Sequence, residues 1–194
     1  SDRNTKQFLA AQGRADAFVG LEADKDAEYD RVIQIDLSQL EPMIACPHSP
    51  GNVKSVKELA GLAVDQVCIG SCTNASYADL MTVASALKGK HVALRVSLGV
   101  GCGSRQVQQM IARNGALADI VDSGARILEN VCGFCIGNSM APKTDAVSLR
   151  TNNRNFEGRS GTKSANVYLV SPETAVAAAL AGTIVDPREY FGKA

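Results

Sequence analysis

Three short stretches of this chain hold residues that could do chemistry. Ile69-Gly70-Ser71-Cys72-Thr73-Asn74 places a thiol among small polar residues, where an apolar run ends and a helical pattern begins. A helix N-terminus favours thiolate over thiol, so Cys72 is a candidate ligand or nucleophile. The plain alternative is a small residue in a tight strand-to-helix turn. Cys132-Gly133-Phe134-Cys135-Ile136-Gly137-Asn138 offers two sulfurs to one metal centre, with Gly133 and Gly137 letting the backbone bend around it. The same spacing serves redox dithiols, which normally open a helix in a thioredoxin-like setting. Thr151-Asn152-Asn153-Arg154-Asn155-Phe156-Glu157-Gly158-Arg159 carries two guanidinium groups among Asn and Gly. Such a loop is either a carboxylate-binding site or a solvated surface turn.

The three stretches read together narrow the chemistry. A zinc site needs four ligands, and Cys102, in Gly101-Cys102-Gly103, is the one cysteine placed to complete it. Three thiolates without a fourth suit an iron–sulfur cluster with one open iron. Cys68 reads as a small core residue in a strand, and Cys46 as a loop residue.

The elements around these stretches alternate. Val64 to Ile69, His91 to Leu98, Ala125 to Val131, Ala146 to Thr151 and Asn166 to Val170 are strand candidates. Between them, Ser76 to Leu87, a helix capped by Ser104, and a short helix through Leu117 and Val121 show helical spacing. Ser171-Pro172-Glu173 opens a last helix that Gly182 closes. Strands separated by helices indicate an α/β fold: a three-layer α-β-α arrangement with a mostly parallel sheet. Ligands bind at the carboxyl ends of strands in such sheets, where all three stretches fall. Residues 1–52 differ in character. They hold a helix from Asn4 to Gln12, an alternating strand-like run from Arg31 to Leu37, and a connection rich in Pro. The expected division is 1–52 as the end of a preceding domain plus linker, and 53–194 as the domain carrying the cysteines.

Composition closes off other classes. Of 194 residues, 20 are basic and 20 acidic, and there is no Trp, which argues against a basic, aromatic-studded nucleic-acid surface. No apolar run is long enough for a membrane span. No signal peptide is read at the N-terminus, so the six cysteines are expected as thiols in a reducing compartment, the bacterial cytoplasm or the mitochondrial matrix.

Gly70-Ser71-Cys72-Thr73-Asn74, Cys132-Gly133-Phe134-Cys135-Ile136-Gly137 and Asn153-Arg154-Asn155-Phe156-Glu157-Gly158-Arg159, in this order, closely resemble the aconitase superfamily. The helix at Ser171-Pro172-Glu173 resembles it too, and the likeness covers nearly the whole chain. Phe8 to Arg14, Tyr29 to Leu40 and Pro47-His48-Ser49-Pro50 look more like the aconitate hydratase branch than isopropylmalate isomerase or homoaconitase. The resemblance implies a [4Fe-4S] cluster held by Cys72, Cys132 and Cys135, whose open iron acts as Lewis acid in a hydro-lyase. It also implies Asn153 beside the cluster, with Arg154 and Arg159 on substrate carboxylates. Citrate, cis-aconitate and isocitrate are the expected ligands. Asp2 aligns loosely with a cluster-proximal Asn.

The same resemblance implies a fragment: the end of a second domain and all of a third. The catalytic base and further substrate-binding residues are then expected in domains 1, 2 and 4 of the same polypeptide. No catalytic base is read within this chain, which is expected to be inactive alone and to hold its cluster in an oxygen-labile form. Isopropylmalate isomerase and homoaconitase are the alternative enzymes. A cluster-free RNA-binding regulator and a structural zinc domain are the alternatives of other classes.

Overall fold

The computed structural model describes residues 1–191, and the chain divides into two compact units, Ser1–Leu40 and Glu41–Ala194. In the first unit α1 (Arg3–Ala11) is started by Asp2, whose carboxylate accepts the Thr5 N–H at 2.8 Å. Asp2 is thus a helix cap, which accounts for an acid at that position. The expected strand at Arg31–Leu37 does not form. Residues 31–36 are coil and Leu37 opens a single 3-10 turn, with Val32, Ile33 and Ile35 exposed. Alternation supplies a strand with one apolar face, but a strand also needs a neighbour to take up its backbone hydrogen bonds, and none pairs with it among the described residues.

The second unit is built on one seven-stranded sheet. Its strands are β1 (Met43–Ala45), β2 (Val53–Ser55), β3 (Gln66–Gly70), β4 (Ser97–Gly101), β5 (Arg126–Leu128), β6 (Val147–Arg150) and β7 (Asn166–Leu169), in the order β2-β1-β7-β6-β3-β4-β5. β3 to β7 run parallel, while β1 and β2 form an antiparallel edge. The mostly parallel α/β sheet expected from the alternation is therefore present. β1 lies where a connection was expected, β2 follows directly after it, and β4 lies later than the expected His91–Leu98.

Local signals set the helices α2 (Tyr77–Leu87), α3 (Arg105–Arg113), α4 (Ala116–Asp122) and α5 (Pro172–Ala181), with a short α6 at Pro187–Phe191. Ser76, Ser104 and Ser171 accept the N–H groups of Asp79, Val107 and Thr174. Gly182, in the left-handed conformation at φ 76°, ends α5.

Strand periodicity then assigns two faces. Val67, Ile69, Leu98, Val100 and Leu149 join the main core with Leu80, Val83, Ile111, Ile120, Ala175 and Val176 from the helices. Cys68 and Leu128 point the other way, into a smaller cluster with Phe134, Cys135 and Met140. The polar side chains of Gln66, Ser148 and Arg150 share that second face and are buried on it. Helices thus seal one side of the sheet, while the cysteine-bearing segment after β5 covers the middle of the other.

Candidate functional site

The chain order reverses at β3: β4 and β5 follow on one side, β6 and β7 on the other. At such a reversal the connections leave in opposite directions and a crevice opens beyond the strand ends. The loop after β3 carries Cys72, and the loop after β6 carries Asn153, Arg154 and Arg159.

The first loop is sharply bent. Gly70 has φ 106°, and a Cβ there would lie 1.9 Å from the Gly101 carbonyl oxygen. Ser71 and Asn74 are also left-handed, at φ 73° and 51°, although neither is glycine. Side chains tolerate such angles only where their surroundings hold them. Here the Asn74 amide donates to the Thr151 carbonyl at 2.6 Å, and the Gly70 N–H donates to the Thr151 hydroxyl at 2.8 Å. The bend leaves Cys72 exposed, 3.7 Å from the Thr73 hydroxyl.

The second loop brings its thiols to the same place. Phe134–Ile136 forms a single 3-10 turn, and the buried Cys135 Sγ donates to the Ser71 hydroxyl at 3.2 Å. Cys132 is exposed. Its thiol is pushed up, chiefly by the neighbouring Cys135 sulfur, with a smaller contribution from Cys72. Sulfurs that resist ionising together are sulfurs gathered together. Gly137 permits a close crossing: at φ 89°, a Cβ would meet the Ser160 carbonyl oxygen at 2.5 Å, so this loop rests directly on the third.

In the third loop the residues alternate between anchor and surface. Asn155 is fully buried and donates to the carbonyls of Cys46 at 2.9 Å and Val167 at 3.0 Å, tying the loop to the β1–β7 edge. Between its anchors Asn153 and Arg154 stay exposed, and the Asn153 Oδ1 accepts from Arg154 Nη1 at 3.2 Å. Arg159 is half-buried with its guanidinium 5.7 Å from the Phe156 ring, and its buried Nε has no partner among the described residues. An unsatisfied guanidinium donor suits an anionic ligand.

Two cysteines fall away from the group. Cys102 and Cys46 are both buried in the main core. Cys46 is a loop residue as expected, just after β1, and its side chain turns inward. Cys102 is packed, not presented, which removes the fourth sulfur of the zinc reading. Among the described residues no three His, Cys, Asp or Glu side chains are disposed to hold a single ion. A cluster spreads its cysteines over separate irons and so needs thiols further apart than one ion does. Cys72 and Cys132, both exposed, and Cys135, buried, are the thiols that these loops offer to such a group.

One participant escaped the sequence reading. Arg150, at the end of β6, is fully buried directly behind the second loop. A single Arg closing a strand gives no local sign of this, and only the pairing of Cys68 with Arg150 across β3 and β6 brings it there.

A model of the aconitase family (aconitate hydratase) matches residues 1–62 and 54–182. Among curated proteins the chain is similar to a 3-isopropylmalate dehydratase large subunit of Archaeoglobus fulgidus, with 42% identity over 98% of this chain and 46% of the relative. It is also similar to large subunits of that name from Methanopyrus kandleri, at 44% over 88% of the chain and 41% of the relative, and Thermotoga maritima, at 41% over 98% and 46%. The chain therefore spans about half the length of the curated relatives it matches.

Proposed function

Because the chain belongs to the aconitase family, we propose that it is the cluster-bearing part of a hydro-lyase acting on 3-isopropylmalate. The observation that carries this reading is the meeting of three loops beyond β3 and β6, which joins the Cys72, Cys132 and Cys135 thiols to an arginine-bearing loop. The choice of substrate rests on the names of the relatives at 41–44% identity. On that ground citrate, cis-aconitate and isocitrate, expected from the N-terminal stretch, give way to a dicarboxylate with a branched apolar substituent. The name "large subunit" supports a second, smaller chain as partner. Residues 53–194 are then the cluster domain of the larger one.

In this reading Cys72, Cys132 and Cys135 hold a [4Fe-4S] cluster, which supplies Lewis acidity toward the hydroxyl that leaves. The chain's own residues set where the substrate lies. Arg154 and Arg159 each offer a planar fork to a carboxylate, and a 2-hydroxy dicarboxylate has two to engage. Asn153 steadies Arg154 from the adjacent position. Left-handed Ser71 keeps the Cys72 sulfur turned outward, and the Ser71 hydroxyl holds Cys135. The three motif stretches, 69–74, 132–138 and 151–159, contain one carboxylate, Glu157, and no histidine. We therefore place the group that removes the proton from carbon outside this chain, with the rest of the polypeptide or the smaller partner.

The test is anaerobic reconstitution of the chain with iron and sulfide. About four of each per chain, with visible absorbance that Cys132→Ser abolishes, are expected. A chain that takes up no cluster, or a Cys132→Ser variant that takes it up equally well, overturns the ligand assignment. Substrate choice is read in the full two-subunit assembly. Ultraviolet absorbance of the unsaturated product should grow from 3-isopropylmalate and not from citrate.

A further inference from the structure

Arg150 is 0% exposed, yet no carboxylate lies within ion-pair distance of it among the described residues. All three guanidinium nitrogens are engaged by neutral acceptors. Nε donates to the Ser148 hydroxyl at 3.1 Å, and Nη2 donates to Gln66 Oε1 at 2.8 Å and to the Met140 carbonyl at 2.9 Å. Nη1 donates to the Phe134 carbonyl. Ser148 in turn donates to Gln66 Oε1 at 2.8 Å, and the Gln66 amide donates to the Ala141 carbonyl at 3.2 Å. The fork therefore grips both ends of the segment from Phe134 to Met140, which contains Cys135, and Gln66 holds the residue that follows it.

A fully hydrogen-bonded guanidinium still carries its charge, and burying a charge without a counterion is costly. Neutral amides and hydroxyls would hold the loop as well without that cost. The ionisable groups that face Arg150 are the thiols of Cys68 and Cys135. Cys68 is fully buried among Leu128, Phe134 and Met140, surroundings that keep it a neutral thiol. That leaves the centre to which Cys135 belongs.

We propose that Arg150 is the buried counter-charge and positioning residue of the centre held by Cys72, Cys132 and Cys135, clamping the Cys132–Cys135 loop while its cation offsets the negative charge of the thiolate-bound cluster. This rests on the cluster reading above. Arg150 touches neither substrate nor iron, so it acts through the loop and through its field. A positive charge in a site of low dielectric favours the more negative of two states of its neighbour, which here is the reduced cluster.

The experiment compares the reconstituted chain with Arg150→Met, Arg150→Lys and Gln66→Glu. Iron and sulfide are counted, and the cluster is titrated with dithionite, which supplies the single electron. Arg150→Met should lower the reduction equilibrium at least tenfold, a shift of about 59 mV to more negative potential. Arg150→Lys keeps the charge and should stay within about threefold of the parent, or about 28 mV. Gln66→Glu leaves Arg150 in place but gives it a carboxylate, so it should shift the potential in the same direction as Arg150→Met. It also keeps the test open if Arg150→Met does not fold. Loss of the cluster in Arg150→Met that Arg150→Lys restores supports the proposal. Loaded Arg150→Met or Gln66→Glu protein with an unchanged potential overturns it while leaving the cluster reading intact. Failure of the parent chain to load four irons overturns the cluster reading, and this proposal with it.

Discussion

The hydroxyl of Thr151 accepts the backbone N–H of Gly70 at 2.8 Å, linking the residue that ends β3 to the residue that follows β6. The two are 81 positions apart in the chain. The Thr151 carbonyl also accepts from Asn74, and its N–H donates to the Cys68 carbonyl at 3.1 Å. One residue thus joins the loop that presents Cys72 to the loop that presents Asn153 and Arg154. Replacing it by valine leaves the Gly70 N–H buried without a partner, a loss of about 1–3 kcal/mol. Urea unfolding of Thr151→Val should show that loss, and Thr151→Ser should recover most of it. Equal stability of all three proteins would mean that this hydroxyl holds nothing.

Gly70 and Gly89 separate close contact from backbone conformation. Both are left-handed, at φ 106° and 67°, but a Cβ on Gly89 meets nothing within 4 Å, whereas one on Gly70 meets the Gly101 carbonyl at 1.9 Å. Gly89→Ala should cost about 1–2 kcal/mol, the conformational penalty alone. Gly70→Ala must also push β3 away from β4 and should cost at least about 3 kcal/mol. Thermal unfolding of the two variants decides it, and similar midpoints would contradict the contact.

Thiol accessibility offers a direct check on the cysteine arrangement. Cys72 and Cys132 are exposed, while Cys46, Cys68, Cys102 and Cys135 are buried. In the cluster-free chain, iodoacetamide should modify Cys72 and Cys132 first. Cys68 should be the slowest, because it is both enclosed and held protonated by a pKa of about 11. Peptide mass spectrometry over a time course reads the order. Early labelling of Cys68 or Cys102 would show that the packing around them is wrong.

Asp65 predicts the acid side of the stability profile. Its carboxylate lies 2.9 Å from Lys143 and 3.3 Å from Arg95, and it accepts the Val147 N–H at 3.0 Å. The Lys143 ammonium and then the Val147 N–H hold it below the usual carboxylate range. A depressed folded pKa contributes stability that is complete above the unfolded value, about 3.9, and is lost as pH falls through the folded value. Asp65→Asn should therefore cost about 1 kcal/mol at pH 7. The difference from the parent should shrink steadily on acidification below about pH 4. A constant difference from pH 7 to the acid limit would assign the effect to shape and not to charge.

Asn153 and Asn155 are chemically alike and two positions apart, yet they answer to different assays. Asn155 is buried on the carbonyls of Cys46 and Val167, so Asn155→Ala should lower stability by about 1–3 kcal/mol in urea unfolding. Asn153 is exposed, and Asn153→Ala should stay within about 0.5 kcal/mol of the parent. A reversed order would exchange their assignments.

The amino-acid sequence by itself determined the helices and the places where the site's loops begin. Ser76, Ser104 and Ser171 are caps, Gly182 is a stop, and each acts within a turn of its own helix, so each can be read without knowing what lies nearby. The same holds for the placement of Cys72, Cys132 and Arg154 just beyond strand ends. Tertiary structure decided what depends on a distant neighbour. Arg31 to Leu37 has the pattern of a strand and no partner among the described residues, whereas β1 and β2, three residues each, become strands through the antiparallel pairing between them and of β1 with β7. Cys46 turned inward because β1, paired on both sides, carries the chain into the core at that point. Arg150 resembles any charge near a strand end until the parallel register sets it opposite Cys68, on the face that the Cys132–Cys135 loop covers. Caps and turns are contacts between residues a few positions apart. The burial of a charge on one face of a sheet is settled by strands more than 80 positions apart, and no local pattern encodes it.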